Sequence, residues 1–118
     1  MEVITDLLPV KRGNPGRPYI SISIGMVDFL EALCDFGSSV NIMPRLADRT
    51  LSLLKGILKN LYVRFGTLYA PADFVVIENG TDERAPIILG RPFLNTSGAV
   101  IYASAAKIRF YIKRSETT

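Results

Sequence analysis

The sequence contains no histidine, no tryptophan and a single cysteine, Cys34, among its 118 residues. Without histidine, a Ser–His or Cys–His hydrolytic centre cannot form, and a zinc site lacks one of its two usual ligand types. One cysteine excludes an internal disulfide framework. Acid–base catalysis by this chain would therefore depend on carboxylates, and we expect neither a metal nor any other cofactor.

Long apolar runs are also missing. No segment approaches the roughly 20 residues of a membrane-spanning helix, and the first residues lack the basic-then-apolar pattern of a secretory signal. We therefore expect an intracellular, cytoplasmic protein that does not enter membranes. The composition, 48% hydrophobic and 21% charged, excludes a disordered chain, and the length corresponds to one domain.

The net charge is a mild +3, and basic residues gather near the two ends of the chain: Lys11, Arg12 and Arg17, then Lys107, Arg109, Lys113 and Arg114. Nucleic-acid-binding domains usually carry a denser basic stripe with aromatic residues on one face. We therefore interpret these residues as solvated strand ends and do not expect nucleic acid as a partner. The alternative is a small β-barrel that binds nucleic acid through its basic ends and through aromatic residues such as Tyr62 and Phe65.

Short apolar segments with Gly and Pro punctuation predict an all-β barrel or sandwich. Residues 1–14 are expected to form an irregular arm and residues 114–118 a tail. The predicted strands are Tyr19–Ile24 and Phe29–Cys34 as a hairpin, then Val40–Met43, Leu61–Phe65, Phe74–Ile77, Pro86–Leu89, Val100–Ala103 and Lys107–Ile112. Residues 50–61 are ambiguous, because Leu51, Leu54, Leu58 and Leu61 recur at helical spacing while Gly56 disfavours a helix.

One segment carries chemistry: an apolar strand ends at Asp35 and is followed by Phe36, Gly37, Ser38 and Ser39. Gly37 lets the backbone turn sharply, and we expect the loop N–H groups and the two serines to orient the Asp35 carboxylate. The alternative is an ordinary turn aspartate that satisfies loop N–H groups. A kinase Asp-Phe-Gly loop is excluded, because the required upstream motifs do not fit in 34 residues without histidine.

A second segment lies about fifty residues later, where the apolar strand Ile87-Ile88-Leu89 ends at Gly90 and Arg91 and leads into Pro92-Phe93-Leu94. The pair Leu-Cys-Asp-Phe-Gly-Ser-Ser and Ile-Ile-Leu-Gly-Arg-Pro-Phe-Leu resembles the retropepsin-like aspartic proteases, and more narrowly the protease domain of plant gypsy-type LTR retrotransposon polyproteins. The resemblance covers roughly residues 15–113, which we interpret as the protease domain.

This resemblance implies a small closed β-barrel with one short helix near the C-terminal third. It assigns Asp35 as the catalytic residue, Phe36 to Ser39 as the active-site loop, and Gly90 and Arg91 as its structural support. It also places flap residues at Leu46, Ala47, Asp48, Arg49 and Thr50, with residues 56–65 on the strand leading away. Because the chain offers one such aspartate, the implied enzyme is a homodimer that hydrolyses peptide segments of its own polyprotein.

The chain departs from the family in two respects. Phe36 replaces a Thr or Ser whose hydroxyl bonds the two active-site loops, and about twenty residues that the family carries are missing between Pro44 and Arg45. Both departures predict a weak enzyme. The same fold without catalysis, acting as a dimerisation or peptide-binding module, is therefore the second reading.

Overall fold

The computed structural model describes residues 2–12, 17–44, 56–77 and 87–114. In this part the chain forms ten β-strands, one short α-helix and a single 3₁₀ turn. The strands are β1 Glu2–Pro9, β2 Lys11–Arg12, β3 Pro18–Ile24, β4 Val27–Cys34, β5 Asn41–Pro44, β6 Gly56–Phe65, β7 Leu68–Ile77, β8 Ile87–Leu89, β9 Val100–Tyr102 and β10 Lys107–Arg114. Helix α1 spans Arg91–Thr96, and the 3₁₀ turn spans Ala103–Ala105.

Six of the strands close into a barrel in the order β3-β4-β8-β5-β7-β6. Strand β6 returns to pair with β3 at Ser23↔Arg64 and Ile24↔Val63, which completes the ring. Strands β4 and β8 run parallel, as do β5 and β7, whereas β5 meets β8 antiparallel. The predicted fold class, an all-β closed barrel with one short helix, is confirmed.

The β3–β4 hairpin forms where the sequence alternates. Ile20, Ile22 and Ile24 of β3 are buried, while the serines between them are more exposed. Alternation of this kind places every second side chain of a strand in the core. The predicted hairpin is confirmed, with a turn at Gly25 and Met26.

The chain also forms a three-stranded sheet in the order β1-β10-β9. Strand β1 pairs with β10 along eight positions, from Glu2↔Arg114 to Pro9↔Lys107. Ile4 and Leu8 of β1 pack against the core, which includes the fully buried Ile108 and Phe110 of β10. An irregular arm over residues 1–14 is therefore the wrong description of Glu2–Pro9. The sequence pattern missed this strand because its partner lies about a hundred residues away.

Residues 56–61 belong to strand β6, so the helical alternative is wrong there; residues 50–55 lie outside the described part. A register shift separates Leu58 from Leu61, and Asn60 adopts a positive φ of 57°. A bulge adds one residue to a strand, so two inward-facing side chains stand three residues apart instead of two. Leu58 and Leu61 both turn inward for this reason, and their spacing imitates one turn of a helix.

Three phenylalanines join the two sheets in the core. The ring centroid of Phe65 lies 5.1 Å from that of Phe93 and 4.6 Å from that of Phe110. Phe65 has no exposed surface and cannot stack on a nucleic-acid base, whereas Tyr62, the other aromatic residue named in the nucleic-acid alternative, is 66% exposed. Within the described residues, α1 is the longest helix and is far too short to cross a membrane.

Candidate active site

Asp35 lies at the end of a barrel strand, beside the end of a second one. Strand β4 ends at Cys34, and the Asp35 N–H donates to the Leu89 carbonyl oxygen at 3.0 Å, which extends the β4–β8 pairing by one residue. The chain then leaves the sheet, with the Ser38 N–H donating to the Asp35 carbonyl oxygen at 3.2 Å across a tight turn. The Asp35 side chain is half-buried at this point.

The Asp35 carboxylate is oriented by its own loop. The Gly37 N–H donates to Asp35 Oδ1 at 2.8 Å. A Cβ at position 37 would lie 3.0 Å from the same oxygen, so glycine permits this close approach. The serines do not take the role we expected: the Ser38 hydroxyl donates to the Val40 carbonyl oxygen at 2.6 Å, and no described hydrogen bond joins Ser39 to Asp35.

Gly90 and Arg91 contact the backbone of the Asp35 loop and fix its position. The Arg91 N–H donates to the Ser38 carbonyl oxygen at 2.9 Å, and the Arg91 guanidinium donates to the Phe36 carbonyl oxygen at 3.1 Å. A Cβ at position 90 would lie 2.9 Å from the Ser38 carbonyl oxygen and would collide with the backbone of Val40. The structure thus brings together the two segments that the sequence singled out.

The site also contains a polar residue that the sequence reading missed. Asn41 is 1% exposed, and its side chain accepts from the Gly90 N–H at 2.8 Å and donates to the Asp73 carbonyl oxygen at 3.0 Å. A buried amide with both ends bonded links the start of β5 to the end of β8 and to the middle of β7. The available signal was a single asparagine inside the apolar segment Val40-Asn41-Ile42-Met43.

The neighbours of Asp35 differ in chemistry. Burial raises the pKa of the Cys34 thiol to about 12, so this group stays protonated and is a poor nucleophile. The Phe36 side chain is 42% exposed and carries no hydroxyl. Within the described residues, His, Cys, Asp and Glu side chains form no group of three that could hold a metal ion.

The flap candidates Leu46, Ala47, Asp48, Arg49 and Thr50 lie outside the described residues. The strands before and after them, β5 and β6, are described, and both pair with β7. Pro44 of β5 pairs with Ile77, and Gly56 of β6 pairs with Val76. The eleven residues 45–55 therefore connect two points at the same end of the barrel.

One carboxylate can act as a general base or a general acid, but it cannot hold both states at once. The described part of a single chain presents Asp35 on an oriented loop at the barrel surface. A second carboxylate facing Asp35 would let one group remain ionised while the other keeps the proton.

No family model and no curated protein sequence matches the chain. Solved structures do match. The retroviral protease-like domain of Ddi1 from Leishmania major has a TM-score of 0.63 and 23% identity, over 80% of this chain and 90% of that one. A retropepsin-like aspartic protease from Rickettsia conorii has a TM-score of 0.62 and 19% identity, over 97% of this chain and 95% of that one. The chain therefore has the fold of the retropepsin-like aspartic protease domains.

Proposed function

We propose that the chain is an aspartic endopeptidase domain that works as a homodimer, with Asp35 supplied by each subunit. The observation that carries the proposal is the Asp35 loop: one carboxylate, oriented by the Gly37 N–H and supported by Gly90 and Arg91. Retropepsin-like proteins share the fold. Residues 15–113, together with strand β1, which pairs with β10, would form the catalytic domain.

The proposed chemistry follows from two carboxylates that share one proton. Two carboxylates at close range cannot both carry a negative charge without strong repulsion, so the facing pair would hold one proton between them. The ionised carboxylate takes a proton from a water molecule, which attacks the peptide carbonyl carbon. The protonated carboxylate polarises the carbonyl oxygen. The carboxylate that took the proton from water then delivers it to the leaving nitrogen as the C–N bond breaks, which restores the pair with its one shared proton. Activity is therefore expected to be highest at mildly acidic pH.

The proposed dimer would use a strand edge. Strand β10 does not offer its apolar face to a partner, because Ile108, Phe110 and Ile112 pack in or against the chain's own core. Strand β10 also has β1 on one side and β9 on the other. Among the described residues, the outer edge of β1 carries eight residues without a strand partner. Long unpaired edges readily accept another strand, so we place the second copy there.

A weak or absent activity is the second candidate, and Phe36 favours it. In the family that this chain resembles, a hydroxyl at this position hydrogen-bonds the two active-site loops. In this chain the position is occupied by the exposed ring of Phe36. Substrate positioning would then be poorer, because small displacements of catalytic groups cost large factors in rate. In the limiting case the domain would only dimerise or bind peptides.

The proposed origin is a retrotransposon polyprotein, whose peptide segments would be the substrate in the cytoplasm. Its support is the pair of segments around Asp35 and Gly90. Reverse transcriptase and integrase reading frames next to the coding sequence are expected if this origin is correct, and unrelated neighbouring genes would contradict it.

The test of catalysis is the cleavage of a denatured protein by the purified chain at several acidic pH values, with and without pepstatin. Asp35→Asn should abolish cleavage and leave the fold intact. Asp28→Asn is a matched control, because Asp28 is an exposed carboxylate on the same strand, away from the loop. Wild-type cleavage by the Asp35→Asn variant would refute the assignment. A stable dimer without any cleavage would instead favour the non-catalytic module.

A further inference from the structure

The outer face of the three-stranded sheet collects side chains from three separate parts of the sequence. Register places the odd-numbered residues of β10 on this face, together with Val100 and Tyr102 of β9. The same register adds Val3, Thr5, Leu7 and Pro9 of β1. We call this surface the outer sheet face. It is distinct from the Asp35 loop, which lies at the ends of β4 and β8.

The outer sheet face has charge of one sign. Lys107, Arg109 and Lys113 form a column along the central strand, and register places no acidic side chain beside them among the described residues of the three strands. Asp6, on β1, belongs to the opposite face and bonds Thr67. Lys11, a basic residue near the start of the chain, does not belong to this face. Its Nζ atom forms an ion pair with Glu31 of β4, 3.1 Å from the carboxylate oxygen.

Two tyrosines lie among the cations. Tyr102 and Tyr111 are 42% and 38% exposed, and their hydroxyl oxygens are 3.4 Å apart. Tyr102 pairs with Lys107, four residues before Tyr111 along β10. Hydroxyl groups can meet over that separation only if both side chains lean toward each other along the sheet. Aromatic rings are thus presented beside the column of positive charge.

We propose that the outer sheet face binds single-stranded nucleic acid, a partner that the sequence alone did not lead us to expect. Side chains on one face of a strand repeat at roughly 7 Å, so the three cations and Tyr111 form an extended track along which a phosphodiester backbone can lie. Exposed tyrosines give unpaired bases a surface on which to stack, which an acidic peptide or a membrane of anionic lipid does not need. This property is independent of the peptidase reaction.

The number of cations sets the salt dependence. Each phosphate neutralised on a single strand contributes about −0.7 to the slope of log affinity against log salt concentration. Three contacts therefore predict a slope of about −2. Binding should not depend strongly on base sequence, because phosphate contacts and stacking on aromatic rings are available to every base.

The experiment uses the full chain and fluorescein-labelled oligothymidylate, with binding followed by fluorescence anisotropy over a range of salt concentrations. The Lys107→Gln/Lys113→Gln variant should lose affinity by about fivefold or more and reduce the slope by about 1.4. The control is Lys59→Gln/Arg64→Gln, which removes the same charge from exposed positions of β6. Equal losses in both variants, or no binding by the wild type, would overturn the proposal.

Tyrosine substitutions separate nucleic acid from other anionic partners. Tyr102→Leu should weaken oligothymidylate binding about threefold or more, whereas Tyr69→Leu, at an exposed position of β7, should leave it unchanged. Labelled polyglutamate and vesicles that contain phosphatidylserine are measured in parallel. If either binds as tightly as the oligonucleotide and Tyr102→Leu changes nothing, the face binds polyanions in general and the proposal is wrong.

Discussion

At the scale of single residues, two glycines are required for different physical reasons. Gly25 adopts a φ of 61° in the β3–β4 turn, and a Cβ there would meet no atom within 4 Å. Gly90 has an ordinary φ of −89°, yet a Cβ there would collide with the backbone of the Asp35 loop. The first glycine is needed for its backbone conformation and the second for the space that it leaves.

Gly90→Ala should therefore destabilise the fold far more than Gly25→Ala. We expect about 3 kcal/mol or more from Gly90→Ala, because two backbone segments must separate. Gly25→Ala should cost about 1 kcal/mol, the strain of a left-handed conformation. Chemical denaturation of both variants measures the two free energies of unfolding. Equal and small losses would show that the loop yields easily and that the contact at Gly90 is not a constraint.

The local geometry of the candidate site was predictable where it depends on neighbours in sequence. Asp35 and Gly37 share one turn, and Gly90 and Arg91 directly follow one strand, so short segments were enough to single them out. Asn41 was missed because its role depends on two distant backbone groups, at Asp73 and Gly90. The expected hydrogen bonds from Ser38 and Ser39 to Asp35 are not observed. These residues are close in sequence, but closeness alone does not determine to which acceptor a hydroxyl group donates.

At the scale of secondary-structure elements, the Asp6 carboxylate joins strand β1 to the barrel. Asp6 of β1 accepts hydrogen bonds from the N–H and the hydroxyl of Thr67, at 3.0 and 2.9 Å, in the turn between β6 and β7. The Thr67 N–H, then its hydroxyl, hold the pKa of Asp6 below its usual value, with a smaller contribution from Arg109. This carboxylate attaches the edge strand of one sheet to a hairpin of the other.

Asp6→Asn should lower the free energy of unfolding by about 1–2 kcal/mol at neutral pH. Because the pKa of Asp6 is lower in the folded state, the stabilisation is present above the unfolded value near 3.9 and disappears as the pH falls through the folded value. The difference between wild type and variant should thus begin to shrink below about pH 4 and should vanish below the folded value. Urea denaturation at several pH values measures this, with Asp28→Asn as the control. A difference that is constant down to low pH would contradict the assignment.

The elements that sequence patterns missed are those whose pairing is not local or not regular. Strand β1 has two pairs of adjacent apolar residues, Val3-Ile4 and Leu7-Leu8, so its alternation is obscured, and its partner is the last strand. Strand β6 contains a bulge that converts a two-residue repeat into a three-residue one. The hairpin β3–β4 has neither complication, and its pattern was sufficient.

The whole molecule is expected to be a dimer that pairs through the outer edge of β1. At high micromolar concentration the full chain should sediment as a dimer, with an interface of about 1,000 Å² or more. Amide exchange in β1 should slow with rising protein concentration, while exchange at the β3–β4 turn should not change. Sedimentation as a monomer would exclude a two-chain active site.

The pairing of β1 with β10 has a consequence for synthesis on the ribosome. Leu8 pairs with Ile108, so β1 can reach its native neighbour only after the roughly one hundred residues between them have been translated. At about 5–20 residues per second, that delay is roughly 5–20 s. During this time Ile4 and Leu8 have no core to enter, and the strand offers both of its edges to other nascent chains. The barrel can assemble first, so closure of the terminal sheet is the step at which newly made chains are most exposed to misassembly.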